Sequence, residues 1–201
     1  MVRFASSLLS RLLAVLALVV FAAPLAGCGI NNIPTYENNA KAAWSEVLNQ
    51  YKRRADLIPN LVATVKGYAQ HEEEIFTSVA NARSRLLNAV QSKDPEQMAN
   101  ADQQMTGALG RLLAISEAYP NLKADQNFLN LQDELTGTEN RVAVARSDYN
   151  DAVRAYNAYI RTFPAVLTAK VTHAKPRKYF QATEQAETSV PKVDFSKPDS
   201  K

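Results

Sequence analysis

Between Pro34 and Pro164 the apolar side chains return at steps of three and four residues, the period of an amphipathic helix, and no segment alternates as a strand would. The first stripe is Ala40, Trp44, Val47, Tyr51 and Ile58, which predicts a helix with Trp44 substantially buried. The second is Leu61, Val65, Tyr68, Ile75, Val79, Ala82 and Leu86, and Pro59 falls between the two. Proline has no backbone donor and its ring clashes with the carbonyl four residues back, so it either starts a helix or kinks one. Asp56 is placed to cap a new start. The series 40, 44, 47, 51, 54, 58, 61, 65, 68 nevertheless keeps its phase through the proline, as a single kinked helix would. A break or strong kink at Pro59 is the favoured expectation, because an uninterrupted helix from Pro34 to Ser92 would run about 85 Å with nothing else long enough to cover it.

Asp94, Pro95, Glu96 and Gln97 supply an N-cap, a first-position proline and a residue able to close a capping box, so a helix is expected to begin there. Its stripe is Met98, Ala101, Met105, Leu109, Leu112, Ile115 and Tyr119, with Pro120 as the stop. Gly107 and Gly110 each cost roughly 1 kcal/mol inside a helix, for which close approach of a neighbouring helix would compensate. A last helix is expected from about Asn121 to Phe163, with Leu131, Leu135, Val142, Ala145, Tyr149, Tyr156, Tyr159 and Phe163 turned inward and Pro164 ending it. Residues 165–201 carry Pro176, Pro191 and Pro198 without a sustained period. They read as an irregular tail, extended or partly disordered, whose apolar residues Val166, Leu167, Tyr179, Phe180, Val193 and Phe195 can still dock on the bundle.

The N-terminus has a different pattern. Arg3 and Arg11 precede an apolar run from Leu12 to Ala23, then Pro24 and small residues, with no acidic side chain before Glu37. This is the layout of an export signal, and the run is shorter than the roughly 20 residues a spanning helix needs. Leu25, Ala26, Gly27 and Cys28 resemble the lipobox of bacterial lipoproteins, which implies cleavage between Gly27 and Cys28 and acylation of Cys28. Two or three acyl chains anchor stably where one is marginal. An uncleaved anchor helix, or ordinary cleavage that leaves an idle thiol, would be the alternatives. Residues 1–27 are thus assigned to the signal peptide, 28–34 to a tether reaching at most about 20 Å, 35–164 to the helical domain and 165–201 to the tail. Gly29 is not the aspartate that retains many such lipoproteins at the inner membrane, so an outer-membrane address is favoured by analogy.

Composition narrows the choice of partner. Without the two arginines of the signal, the remaining basic residues almost balance the 20 acidic ones, so the pI near 8.9 is no nucleic-acid footprint. Cys28 is the single cysteine, which leaves the chain no intramolecular disulfide, so a packed core must provide stability. Candidate chemistry is sparse. His71-Glu72 begins like the metalloprotease pattern, but Ile75 stands where the second histidine is needed. Tyr68 and Lys170, three residues before His71 and His173, exclude the di-iron pattern. No metal, cofactor or catalytic residue is therefore expected. Arg54 and Glu72 intrude on the apolar stripes, either as a recognition spot or, the favoured reading, as a solvated flank or an interhelical ion pair that fixes register. His71 is kept with them as a possible interaction residue. Tyr149, Tyr156 and Tyr159 read as core with hydroxyls at the rim. Lys170, Lys175, Arg177 and Lys178 could touch anionic lipid, although Glu184 and Glu187 follow.

Several ordered blocks carry a resemblance. They are Ala42-Ala43-Trp44, the run from Arg53 to Val62 (RRADLIPNLV), and Val65 to Glu72 (VKGYAQHE). Leu131 to Leu135, Thr138 to Arg146, Tyr149-Asn150, Val153 to Asn157 and the terminal Pro191 to Phe195 continue it. The chain resembles the LemA family over roughly residues 35–195. The resemblance implies an all-α fold, an antiparallel up-and-down four-helix bundle with long, coiled-coil-like helices, held at the outer side of a bacterial membrane. Many members use an N-terminal transmembrane helix there, where this chain offers a lipobox. The family brings no accepted enzymatic activity and no catalytic residues. The expectation is a non-enzymatic, membrane-anchored, periplasm-facing protein that binds or scaffolds other envelope proteins. A lipid- or small-ligand-binding bundle, or an envelope enzyme with an unrecognised site, would be the alternatives.

Overall fold

A computed structural model describes residues 32–181, and every regular element among them is helical. Cys28, the signal segment and the end of the tail lie outside the described residues. α1 spans Asn32–Lys66, α2 Glu73–Ser92 and α3 Pro95–Ala114; a 3-10 turn at Ile115–Glu117 and the short α4, Pro120–Lys123, lead into α5, Gln126–Tyr159, which is followed by α6, Ala165–Val171.

Pro59 does not break the first helix, which continues to Lys66. The physical reason is a substitute donor. Proline deprives the Ala55 carbonyl of its helical partner, and Arg83 on α2 donates its Nε proton to that oxygen at 2.8 Å. The chain turns instead between Gly67 and Glu72. α2 ends at Lys93, which adopts the left-handed conformation at φ 55°. Asp94 then accepts the Glu96 amide at 2.9 Å with Pro95 at the first position, so α3 starts where the sequence places it. α3 stops at Ala114, before Tyr119. Asp125 starts α5 by accepting the Phe128 amide at 2.8 Å and the Tyr68 hydroxyl at 2.9 Å. The first of these bonds, more than the second, holds the Asp125 carboxyl below its ordinary range.

The described residues divide into two compact units. In one, formed by residues 32–44 and 148–178, Ile33, Tyr156, Ile160 and Ala169 make a small apolar cluster with Tyr36, Tyr159 and Ala174 against it. Trp44 is half-buried, contrary to the deeper burial its stripe predicts. Its ring rests on Tyr149 with centroids 4.9 Å apart, which leaves part of the indole at the surface. Asn157 is buried and pins the following segment: its amide donates to the Arg177 carbonyl at 2.9 Å and its Oδ1 accepts the Arg177 amide at 2.8 Å. The Tyr149 hydroxyl donates to the Lys178 carbonyl. Residues 165–178 are thus partly helical and tied down rather than simply extended. Phe163, expected inward, is exposed because α5 has already ended at Tyr159.

The other unit comprises residues 45–147 with 179–181. Its core follows the stripes closely: Val47, Tyr51, Ile58, Leu61 and Val65 from α1, Val79, Ala82 and Leu86 from α2, Met98, Met105 and Leu112 from α3, and Leu135 and Val142 from α5 are all buried, whereas Tyr68 of the second stripe is exposed because α1 has ended at Lys66. Burial of such side chains contributes about 1.5–3 kcal/mol each relative to exposure. Gly107 and Gly110 overturn their expectation, since a Cβ at either position would meet nothing within 4 Å. Both face open space. Their helix cost is met by no close packing.

Candidate functional site

Arg54 is the sequence-derived candidate that the fold places most informatively. Its position in the 4-3 series points it inward, and its side chain is only 3% exposed. A buried guanidinium must find anionic or polar partners or destabilise the fold. Asp102 on α3 provides them: Arg54 Nη1 donates to Asp102 Oδ1 at 2.6 Å, while Nη2 donates to the Thr106 hydroxyl at 3.2 Å and lies 3.7 Å from Glu139.

The second oxygen of Asp102 is also occupied. Arg146 on α5 donates to Asp102 Oδ2 at 2.6 Å and to the Tyr51 hydroxyl. Its guanidinium sits 5.3 Å from the Tyr51 ring centre and 4.5 Å from that of Phe180. The two rings are near parallel, 6.3 Å apart, so the half-buried Arg146 gains cation–π attraction from both. One aspartate therefore joins α1 and α5 through α3, and Phe180 brings in the tail.

Burial disfavours both charges. It pushes the Asp102 carboxyl up to about 6 against the pull of Arg54, with the charge of Glu139 adding to the rise. It brings Arg146 down to about 10. The Nε atoms of Arg54 and Arg146 are buried without a hydrogen-bond partner, a further desolvation cost. The arrangement fixes which helix faces meet and offers no free acid or nucleophile to a substrate. It is the interhelical ion pair expected of Arg54, extended by a second arginine.

Glu72 and His71 lie elsewhere. His71 is exposed in the turn before α2, and Glu72 is half-buried there, its main-chain carbonyl accepting the Ile75 and Phe76 amides. Neither joins Arg54. Arg53 reaches Glu134 at 3.2 Å. Tyr149 and Tyr156 are core residues and Tyr159 is half-buried; burial raises the Tyr149 hydroxyl above its usual range. Sequence reasoning missed Asp102 and Arg146. A signal was available, because Asp102 stands four residues after Met98 and three before Met105, and Arg146 four after Val142 and three before Tyr149, both on apolar stripes.

A different feature faces solvent. Along the α2–α3 hairpin an open groove of about 940 Å³ is lined by Glu73, Glu74, Asn81, Arg85, Gln104 and Arg111, among others. Gly107 also lines it, and a Cβ there would project into open space. Arg111 donates to the Ser78 hydroxyl at 2.8 Å and Arg85 to the side-chain Oε1 of Gln104 at 2.6 Å, which holds the lining side chains in place. Among the described residues no group of three His, Cys, Asp or Glu is arranged to hold a metal ion, and no helix is long and apolar enough to cross a membrane.

Comparison with known proteins places the chain among relatives. The family model for the LemA family matches residues 43–195. Magnetosome protein MamQ 2 of Paramagnetospirillum magneticum is 26% identical over 201 residues, covering 89% of this chain and 74% of that protein. Magnetosome protein MamQ of Magnetospirillum gryphiswaldense is 25% identical over the same shares. Protein LemA of Metamycoplasma hominis is 26% identical over 155 residues, covering 77% and 69%.

Proposed function

Because the chain belongs to the LemA family, we propose that it is a non-enzymatic, membrane-anchored protein of the bacterial envelope that binds or scaffolds other envelope proteins. The observation that carries this reading is how the charges are distributed. The buried ones, Arg54 and Asp102, are spent on one another and on the half-buried Arg146. Among the polar side chains that reach solvent, Glu73, Glu74, Asn81, Arg85, Gln104 and Arg111 gather along an open groove on a helical hairpin. Catalysis needs convergent groups held free at a substrate; docking needs a long surface with fixed polar positions, which this groove supplies.

The finer parts of the reading are an up-and-down four-helix arrangement, cleavage between Gly27 and Cys28, acylation of Cys28 and a periplasm-facing position, with the outer membrane favoured. Relatives named as magnetosome proteins support service to an assembly rather than turnover of a substrate. The anchor is tested by labelling cells with radioactive palmitate: the wild-type chain incorporates label and Cys28→Ser does not, while equal labelling would overturn acylation at Cys28. The docking half is tested by crosslinking in living cells from the groove, followed by mass spectrometry of the captured protein.

A further inference from the structure

We propose that residues 161–175 form a membrane-contact patch that inserts Phe163, Leu167 and Val171 into the interface of an anionic bilayer. α6 buries Ala165 and Ala169, and Ala169 packs with Ile33, Tyr156 and Ile160. At about 100° per residue, Leu167 and Val171 project to the opposite side of the helix. They are 57% and 80% exposed, and Phe163, four residues before Leu167, is 70% exposed. Single exposed apolar residues are ordinary, but Leu167 and Val171, large and one turn apart on α6, make a row, with the exposed Phe163 in the turn that leads into it.

Cations border that row. Arg161, Lys170 and Lys175 are exposed. With His173 they line an open groove of about 370 Å³ that has Ile160 and Val166 along its apolar side and no carboxylate in its lining. Nearby Glu37 is paired with Lys41 and Arg177. An apolar row beside a groove that is basic among the described residues matches a layer that offers acyl chains below and anionic headgroups above. Position favours the same occupant. The cluster beneath α6 includes Ile33, the second residue of α1, and the chain from Cys28 to Asn32 reaches at most about 14 Å. The placement next to the bilayer rests on acylation of Cys28; the composition of the patch does not.

The test uses the full chain, purified from membranes and reconstituted into vesicles of phosphatidylethanolamine and phosphatidylglycerol. A polarity-sensitive fluorophore is attached at Leu167→Cys, separately at Val171→Cys, and at Asn140→Cys as a solvent-facing reference. The expected result is blue-shifted emission and strong quenching by spin-labelled lipid at 167 and 171, with neither at 140. Replacing Arg161, Lys170 and Lys175 by glutamate should reduce both signals. Emission and quenching at 167 and 171 equal to those at 140 would overturn the proposal. Emission shifted to the blue without lipid quenching would also overturn it, because it reports a protein contact. Labelling of the wild-type chain reads Cys28 independently: uptake there refutes acylation, and the patch is then read on a Cys28→Ser background.

Discussion

Arg83 donates its Nε proton to the Ala55 carbonyl at 2.8 Å, the acceptor that Pro59 leaves without a helical partner. Ala55 is fully buried with the arginine in place, so its carbonyl meets Arg83 rather than bulk water. Leaving such a carbonyl unmet costs about 1–3 kcal/mol. Arg83→Met should therefore lower unfolding free energy by that amount in urea melts. In a Pro59→Ala background the main-chain amide of residue 59 restores the bond, and the same Arg83 substitution should cost much less. Equal costs in the two backgrounds would show that Arg83 does not serve the proline.

The Arg54–Asp102 pair yields a second comparison. Removing one partner of a buried ion pair leaves an uncompensated charge and costs about 3–5 kcal/mol, whereas replacing both by apolar residues is often nearly neutral. Asp102→Leu, which strands the 3%-exposed Arg54, is expected to fall in that destabilised range, and Arg54→Met with Asp102→Leu to recover a large part of the loss, since Arg146 is 28% exposed and keeps the Tyr51 hydroxyl. Urea melts of the three chains decide. A double variant no more stable than Asp102→Leu would mean that the stranded Arg54 is not the source of the loss.

The raised Asp102 carboxyl has a definite linkage sign. Its folded pKa of about 6 lies above the ordinary 3.8, so the folded state holds more protons between these values. Its contribution is fully present below about 4 and is lost as pH rises through about 6, by on the order of 2–3 kcal/mol. Relative to Asp102→Asn, which cannot titrate, the wild-type chain should lose stability by that amount between pH 4 and pH 7. A difference independent of pH, or one that grows with pH, would contradict the shift.

How much of this was legible in the sequence follows from what period and propensity encode. The 4-3 stripes gave the core of all the long helices, from Val47 to Val142, because burial of apolar side chains is a local pattern. The start of α3 was equally plain, since Asp94 and Pro95 act on their own backbone. Pro59 misled because its remedy comes from Arg83, 24 residues away in sequence, and no local rule sees a distant donor. Trp44 and Phe163 kept the right phase but sit where the covering chain runs out. Arg54 was found as an intrusion, whereas Asp102 and Arg146, equally polar on equally apolar stripes, acquire meaning only when three helices bring them together.

Gly107 and Gly110 lie in a helix interior with open space where a Cβ would go. Alanine at each should stabilise the chain by about 0.5–1 kcal/mol through helix propensity and a less disordered unfolded state. Thermal and urea melts check this. Gly107 also lines the groove, so Gly107→Ala can weaken docking while strengthening the fold, which Gly110→Ala should not. Destabilisation by either substitution would mean that the space is occupied in solution.

Site-specific photo-crosslinking in living cells tests the docking account most directly. A photoreactive residue is placed at Asn81 or Gln104 in the groove, and at Asn140 on α5 as the reference. The account predicts a discrete crosslinked envelope protein from 81 and 104, absent at 140 and reduced by Arg85→Glu together with Arg111→Glu, with membrane levels of the chain unchanged. Crosslinks equal at all three positions, or none from the groove while the chain is folded and membrane-bound, would contradict it.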